Sequence, residues 1–449
     1  MDDGALRELQ RSLDGRVLTP RDDDYDAARV IYNALVDARP SVIARCTRPA
    51  DVATALDFAR SHSLEIAVRG GGHNPAGHCI CDGGLVVDLS QMRTVTVDSS
   101  SAVAHADGGA TWGDFDTATQ AAGLVTPGGV VVTTGVAGLT LGGGIGHLTA
   151  QHGLTCDNLI GGEIVTPDGR VLEVSADDEL LWGLRGGGGN FGVVTRLDFR
   201  LFPLDGVVGG LLRYRGAGIR EALRRFRDLV ASSPRDLSCQ VVIGRDEEDE
   251  PELVVAPAYT GSAGDPEAIT MLRGAPGLVA DEIRTHSFLD QQHVFDGPYG
   301  ENRHYWKGHF VRELPDELID ELVYSVGEQG RPSDKVLIES LHGGPKDMSP
   351  EHGALGFRHA AFNVSAMAVW QRADDDPEHI AWARETAVAI EPWSVRGGGY
   401  VNYMQADEPI ERIRAAFGAE SFDRLQALKR RYDPDNLLRR NQNIPPGEG

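Results

Sequence analysis

The sequence contains very little lysine. Only four of its 43 basic residues are lysines, and the others are arginines. With 55 glycines and many alanines and aspartates, this bias is typical of GC-rich bacterial coding. Basic charge is scarce overall, since 67 acidic residues give a net charge of −24. A chain this acidic is poorly suited to nucleic acid or to an anionic membrane surface, so we expect neither as a partner.

Export and membrane signals are also missing. The N-terminus Met-Asp-Asp-Gly-Ala-Leu-Arg has neither the basic nor the apolar segment of a signal peptide, and no apolar run reaches membrane-spanning length. The five cysteines are odd in number and irregularly spaced, which argues against a disulfide framework and suits a reducing compartment. Cys79 and Cys81 lack a matching His or Cys pair, so no metal site is expected. We therefore expect a cytoplasmic bacterial protein that is a monomer or homodimer.

Glycine, by contrast, is concentrated in a few motifs, of which Arg69-Gly70-Gly71-Gly72-His73-Asn74 comes first. Such a loop can approach a ligand closely, and its successive N–H groups can converge on an anion. Strands are predicted at 64–68 and 85–89, and the Pro- and Gly-rich residues 74–84 break any helix between them. Because Rossmann and P-loop sites need a helix that begins at the phosphate, the sequence excludes both and predicts a strand–loop–strand cradle.

Further glycine blocks follow at 127–148 and 185–192, with small apolar residues interleaved. This mixture favours backbone packed against a ligand over a surface linker. Turn residues 167–169 predict a hairpin between strands 159–166 and 170–174, and Thr111 and Asp114 have capping-box spacing. After Pro203 the glycine clusters thin out and helices alternate with strands, which predicts a second α+β domain.

Five blocks, taken in order, resemble one family. They are R-x-G-G-H-N at 69–74, T-G-V-A-G-L-T-L-G-G-G-I-G-H at 134–147, G-L-T-C-D-N-L at 153–159, L-W-G-L-R-G-G-G-G-N-F-G-V-V-T at 181–195, and the tail with Y-x-N-Y at 400–403 and Y-D-P-D-N-L-L-R-R-N-Q-N-I at 432–444. The chain resembles the FAD-linked oxidases related to berberine bridge enzyme, within the vanillyl-alcohol-oxidase superfamily. Its layout is similar to short bacterial members of the 6-hydroxynicotine oxidase type.

The resemblance implies an α+β fold in two parts. A FAD-binding domain of the vanillyl-alcohol-oxidase type would comprise residues 1–204 and 396–449. A substrate-binding domain, a sheet covered by helices, would be inserted at 205–395.

The resemblance also implies a set of cofactor-binding residues. The first glycine loop would hold the pyrophosphate, the stretch 133–147 would line the ring and ribityl chain, the backbone near Ile164 would meet the adenine, and four tail residues would close over the flavin. The implied residues are Arg69, Gly70, Gly71, Gly72, His73, Asn74, His78, Gly109, Gly129, Thr133, Thr134, Gly135, Gly138, Leu139, Gly143, Gly146, His147, Ile164, Tyr400, Asn402, Asn441 and Asn443.

His73 has two interpretations. It is either a loop histidine that hydrogen-bonds the cradle backbone or, as the resemblance implies, the covalent attachment site of the 8α-methyl of FAD. Many members carry a second tether, a cysteine in the pattern P-A-G-V-C. Here Val131 stands at that place, so attachment is expected through His73 only. The small residue Gly129 is associated in the family with access of oxygen to the flavin, which favours an oxidase.

The catalytic assignments are more open. Tyr403 corresponds to a tyrosine that acts as general base in the family, or it is a core tyrosine in an extended segment. A phenol has a resting pKa near 10, so a base role requires a lowered pKa or proton removal concerted with hydride transfer. Tyr305 either lines the substrate face or lies on an ordinary strand face with Lys307 and His309. Glu339 and His342 are substrate-pocket candidates by position.

We expect an enzyme that oxidises a C–H bond next to oxygen or nitrogen in a small molecule, by hydride transfer to FAD, with O2 as acceptor and hydrogen peroxide as product. Secondary-metabolite alcohols or phenols, cyclic amines and sugars compete as substrates, and a sugar or oligosaccharide oxidase is one alternative. Another is a flavin-bearing binding or resistance protein that reoxidises a quinone-like compound.

Overall fold

A computed structural model describes residues 3–232, 235–261, 266–395 and 398–447. The N-terminal part contains short strands and helices. Its helices are α1 Asp3–Ser12, α2 Tyr25–Ala28, α3 Pro49–Ser61, α4 Trp112–Gln120, α5 Val136–Leu141, α6 Thr149–His152 and α7 Glu179–Leu184. Its strands are β1 Arg16–Leu18, β2 Val42–Arg45, β3 Ile66–Arg69, β4 Leu85–Asp88, β5 Val95–Asp98, β6 Val103–Asp107, β7 Leu124–Val125, β8 Leu159–Val165, β9 Val171–Val174, β10 Val193–Arg200 and β11 Phe202–Pro203.

The following part contains longer strands. These are β12 Val207–Gly209, β13 Leu212–Arg215, β14 Leu237–Arg245, β15 Pro251–Tyr259, β16 Leu278–Asp281, β17 Arg284–His286, β18 Arg303–Val311, β19 Lys335–Ser340 and β20 Phe362–Trp370. Its helices are α8 Gly218–Ser232, α9 Glu267–Arg273, α10 Phe288–Gln292, α11 Asp316–Gly327, α12 Gly344–Asp347 and α13 Asp376–Ile390. The tail adds α14 Ile410–Phe417 and α15 Ala419–Tyr432. The fold is α+β, as expected.

Two sheets carry the glycine loops. The first has the order β1-β2-β4-β3, and the second has the order β5-β6-β10-β8-β9. Strands β3 and β4 pair in parallel although residues 70–84 between them, all described, contain no helix. The predicted strand–loop–strand arrangement is thus confirmed. The hairpin β8–β9 and the capping box between Thr111 and Asp114 are also confirmed.

The third large sheet runs β16-β13-β15-β14-β19-β20-β18, with β12 and β17 attached at β15. Because side chains alternate along a strand, its two faces have different partners. Val241, Val336, Ile338 and Ala366 belong to an apolar core with helices α8, α11 and α13. The opposite face, which carries Val242, Leu337 and Met367, is directed to the glycine loops.

The tail is tied to a glycine loop by a buried lysine. Lys429 of α15 is fully buried, and its Nζ donates to the backbone carbonyls of Asn190 and Leu438 and to the carboxylate of Asp433 at 2.6 Å. A buried charge needs such partners. The contacts therefore hold residues 186–190 and the last segment together.

Strands β12 and β13 are separated at Gly210, whose φ is +125°. One local expectation is wrong. Residues Tyr400 to Tyr403 form a turn rather than an extended segment, since the Tyr403 N–H donates to the Tyr400 carbonyl at 2.9 Å. The expected boundary between residues 395 and 396 falls at residues 396–397, which lie outside the described residues.

Candidate active site

A cavity lies between the first two sheets, which carry the glycine loops, and the face of the third sheet that is not covered by helices. Its floor consists of the glycine loops 70–72, 134–142 and 186–192, and its far wall consists of side chains from β14, β18, β19 and β20. The last segment, 438–442, closes one end. The sequence motifs and the inserted sheet thus meet at one site.

The first two glycine loops are in direct backbone contact. A Cβ on Gly71 would overlap the backbone of Gly135, and a Cβ on Gly135 would overlap the backbone of Gly71. At Gly72 the φ of +72° favours glycine, and a side chain there would collide with Tyr299. These three glycines are therefore required by protein packing as well as by any ligand.

His73 lies at the edge of this contact. Its Nε2 is 2.7 Å from the hydroxyl of Thr133, its Nδ1 is 3.4 Å from the hydroxyl of Thr134, and its ring stacks on Tyr32 at 4.3 Å. Burial lowers the pKa of His73 to about 3, so the imidazole is neutral. A neutral imidazole has a free ring lone pair and can act as a nucleophile.

Two glycines have no packing reason of this kind. Gly138 and Gly189 both line the cavity, and a Cβ on either would have no protein atom within 4 Å. Buried acceptor atoms also lack partners among the described residues, namely the Oδ1 atoms of Asn441 and Asn443. Open backbone, unpaired amide oxygens and a neutral histidine fit a large polar cofactor such as the expected FAD.

Most of the expected cofactor residues line the cavity. They are Gly70, Gly71, Gly72, His73, Asn74, His78, Gly129, Thr134, Gly135, Gly138, Leu139, Asn402 and Asn441. The others are not among its lining residues, and the structure places them around it: Arg69, Gly109, Thr133, Gly143, Gly146, His147, Ile164, Tyr400 and Asn443.

Several of these outer residues support the lining. Ile164 lies under Gly192, and the Tyr400 hydroxyl accepts from the Gly144 N–H at 2.8 Å and from Asn402 Nδ2 at 2.9 Å. The Arg69 guanidinium instead donates to the carbonyl of Ala28, away from the cavity.

The candidate base, Tyr403, is paired with a carboxyl group. Tyr403 lines the cavity, and its hydroxyl donates to Glu339 Oε1 at 3.2 Å. Glu339 is fully buried, and its Oε2 accepts from Asn363 Nδ2 at 2.7 Å. Burial raises the pKa of Glu339 to about 7 and raises the pKa of Tyr403 well above 10. A free Tyr403 phenolate is therefore disfavoured, but the pair can pass a proton from the cavity to Glu339.

Of the two interpretations of Tyr305, the structure agrees with the ordinary strand face and not with the substrate pocket. The Tyr305 hydroxyl donates to Asp407 at 2.7 Å on the helix-covered face of β18, where the side chain joins the apolar core. The next residue, Trp306, faces the cavity instead. The sequence correctly predicts that side chains alternate between the two faces of this strand. Because both faces carry aromatic residues, the sequence does not show which face lines the cavity. His342, which follows β19, is buried but is not among the residues that line the cavity.

Other cavity residues were not predicted at all. They include Tyr32, Phe295, Trp306, Lys335, Leu337 and Met367. For Lys335 there was a usable signal, because it is one of four lysines and lies two and four residues before Leu337 and Glu339 on one strand face. Burial lowers the pKa of Lys335.

No helix within the described ranges is long and apolar enough to cross a membrane.

Comparison with known proteins gives consistent matches. Residues 40–175 match a family described as FAD binding domain, and residues 399–445 match one described as berberine and berberine like. The chain is 32% identical to (R)-6-hydroxynicotine oxidase of Paenarthrobacter nicotinovorans, with 97% of each chain covered. It is 31% identical to an FAD-linked oxidoreductase of Dictyostelium discoideum, covering 98% of this chain and 97% of the relative.

Solved structures show the same fold. The crystal structure of 6-hydroxy-D-nicotine oxidase from Arthrobacter nicotinovorans superposes with a TM-score of 0.89 at 29% identity, over 97% of this chain and 99% of that chain. The berberine-bridge-enzyme-like protein 1 of Physcomitrella patens gives a TM-score of 0.89 at 21% identity, over 99% of this chain and 100% of that chain.

Proposed function

The chain belongs to the berberine-bridge-enzyme-like FAD-linked oxidoreductases, and from this premise we propose that it is an oxidase whose FAD is attached covalently through His73 alone. The observation that carries the proposal is the neutral His73 imidazole, held by Thr133 and Thr134 at the edge of the glycine loops. Val131 lines the same cavity at the place where a second, cysteine tether would stand.

When bound, FAD supplies a hydride acceptor that dioxygen can reoxidise with formation of hydrogen peroxide. Residues Gly70 to Gly72 would hold its pyrophosphate, and 134–142 with Asn402 would line its ring. Asn441, which lines the cavity, offers it an acceptor atom that has no partner among the described residues. Gly129 keeps one wall of the cavity free of a side chain, which supports access of oxygen.

Proton removal falls to the Tyr403–Glu339 pair. Tyr403 takes the proton from the oxygen or nitrogen of the substrate while its own hydroxyl proton moves to Glu339 Oε1, which lies 3.2 Å from it. The raised pKa of Tyr403 requires this concerted transfer, because an isolated phenolate is too costly at a buried position. Asn363 holds Glu339 in place.

The substrate is a small aromatic or heterocyclic compound. The cavity wall opposite the glycine loops is mostly apolar and aromatic, with Trp306, Leu337, Met367 and Phe295 beside the charged residue Lys335. Such a wall favours a flat apolar body over a sugar, which would need many hydrogen-bonding side chains. One relative is named as an oxidase of (R)-6-hydroxynicotine, a compound of this class.

Anaerobic addition of candidate substrates, beginning with (R)-6-hydroxynicotine, tests the activity. Bleaching of the yellow protein, followed by recovery and peroxide release when air is admitted, supports the oxidase. Bleaching that oxygen does not reverse would contradict it. Sugars are the comparison set, and turnover of sugars alone would overturn the substrate assignment.

A further inference from the structure

The N-terminal residues 32–35 connect the first glycine loop to the inserted sheet. The Tyr32 N–H donates to the Gly72 carbonyl at 3.0 Å. The neighbouring Asn33 is fully buried and donates to the carbonyls of Pro75 at 2.6 Å and His304 at 2.8 Å, and it accepts from the His304 N–H at 2.8 Å. Tyr32 is therefore held at both sides of the cavity, by its own N–H at the glycine loop and by the neighbouring Asn33 side chain at β18.

The Tyr32 ring is stacked between two imidazoles. The centroid of its ring is 4.3 Å from that of His73 and 4.4 Å from that of His304, with interplanar angles of 19° and 17°. Tyr299 and Trp306 contact the Tyr32 ring in a T-shaped arrangement, each with its ring centroid 6.2 Å from the Tyr32 centroid. This column leaves the His73 ring little freedom to turn.

Restraint of this kind matters at His73 in particular. The last torsion of a histidine side chain is broad, so contacts and not the rotamer itself determine where its ring nitrogens point. Thr133 and Thr134 contact the two nitrogens, and Tyr32 covers a ring face. Without Tyr32 the hydroxyls would still bond the ring, but its plane would no longer be fixed.

We propose that Tyr32 is a positioning residue for covalent attachment of the flavin, and that it acts by holding the plane of the His73 imidazole from one face, with His304 stacked on the other face of the Tyr32 ring. The inference rests on the proposed attachment at His73. Tyr32 itself forms no bond in the reaction. Its ring, and not its hydroxyl, carries the effect.

The attachment reaction defines what must be positioned. One bond forms between a His73 ring nitrogen and the 8α carbon of FAD, and one C–H bond of that methyl group breaks. A proton leaves the carbon, another leaves the imidazole, and the electron pair of the broken bond stays on the isoalloxazine, which is thereby reduced by two electrons. Dioxygen, the acceptor of the proposed activity, takes up these electrons and gives hydrogen peroxide. The ring nitrogen must therefore point at one carbon atom.

The experiment measures attachment rather than turnover. Full-length protein from riboflavin-limited cells is mixed with FAD in air, and acid-precipitable flavin fluorescence is followed with time beside total bound flavin. The variants are Tyr32→Leu, Tyr32→Phe and His304→Leu. Tyr324→Leu, at an exposed tyrosine of α11, is the matched control.

Tyr32→Leu should slow attachment about three- to tenfold, which is the range that one aromatic stacking contact is worth, without lowering total bound flavin. Tyr32→Phe and the control should match the wild-type rate, and His304→Leu should fall between. A wild-type rate in Tyr32→Leu would overturn the proposal, and so would a Tyr32→Phe rate as slow as that of Tyr32→Leu.

If the Tyr32→Leu variant binds no FAD at all, the attachment rate of His304→Leu becomes the test. A wild-type attachment rate in His304→Leu overturns the proposal. Absence of acid-precipitable flavin in the wild type is a different result, because it refutes the proposed attachment at His73 itself.

Discussion

Replacing Glu339 by glutamine should change both the stability and the chemistry of the protein. Burial raises the pKa of Glu339 from 4.5 to about 7. At roughly 1.4 kcal/mol per pKa unit, this difference corresponds to about 3 kcal/mol. The folded protein binds this proton more tightly than the unfolded chain does. Proton binding at Glu339 therefore stabilises the fold fully at low pH, and this stabilisation is lost as the pH rises through 7.

Glutamine stays neutral at every pH and can still accept one hydrogen bond, from Asn363 or from Tyr403. Between pH 4 and pH 8 the free energy of unfolding of the wild type should therefore fall by about 3 kcal/mol relative to that of Glu339→Gln. Urea unfolding at both pH values, followed by tryptophan fluorescence, measures this. Glu385→Gln, at an exposed position on α13, is the control and should leave the pH dependence unchanged.

The same substitution removes the proton acceptor. With a substrate that bleaches the flavin, anaerobic stopped-flow should show reduction about a hundredfold slower or more, since general base catalysis typically contributes that much. An unchanged reduction rate would refute the relay from Tyr403 to Glu339. An unchanged pH slope of stability would refute the raised pKa of the buried Glu339 carboxyl.

The cavity supports two further tests. Gly138→Val should lower FAD loading without destabilising the apoprotein, because a Cβ there meets no protein atom within 4 Å, whereas Gly297→Val, an equally open position that does not line the cavity, should load normally. Flavin content and the thermal midpoint of the apoprotein measure this, and full loading of Gly138→Val would contradict the placement of FAD. Gly129→Ala should slow reoxidation by oxygen more than flavin reduction, because the added Cβ would lie 3.4 Å from Leu139, which lines the cavity, and would narrow the space there. Equal slowing of both half-reactions would argue against Gly129 as the oxygen path.

The sequence predicted the cofactor side of the site better than the substrate side. Glycine blocks at 69–74 and 134–147 are local signals, and the helix breakers at 74–84 correctly indicated a loop between two strands. The capping box at Thr111 and the hairpin at 167–169 are likewise local, and both were found. Even there, close approach to a ligand explains the glycine at position 71 only in part. Gly71 also packs against the backbone of Gly135, which lies far away in the sequence.

The substrate side depends on which face of a strand is covered. Tyr305 and Trp306 are adjacent aromatic residues in β18, and only the packing of α13 shows that Trp306 is the one in the cavity. Tyr32 could not be found, since its role arises from contacts with His73 and His304, which lie 41 and 272 positions away. The raised pKa of Glu339 likewise results from burial, which arises only when β14, β20 and Tyr403 pack around β19.

The mass of the intact protein under denaturing conditions tests the central claim most directly. The wild type should be heavier than its polypeptide by one FAD less two hydrogen atoms, and His73→Ala should have the mass of the polypeptide alone. Cys156→Ala, which removes the cysteine of the G-L-T-C-D-N-L block, should keep the added mass. A wild-type mass equal to that of the polypeptide, measured on fully yellow protein, would contradict attachment through His73, and so would added mass that survives in His73→Ala.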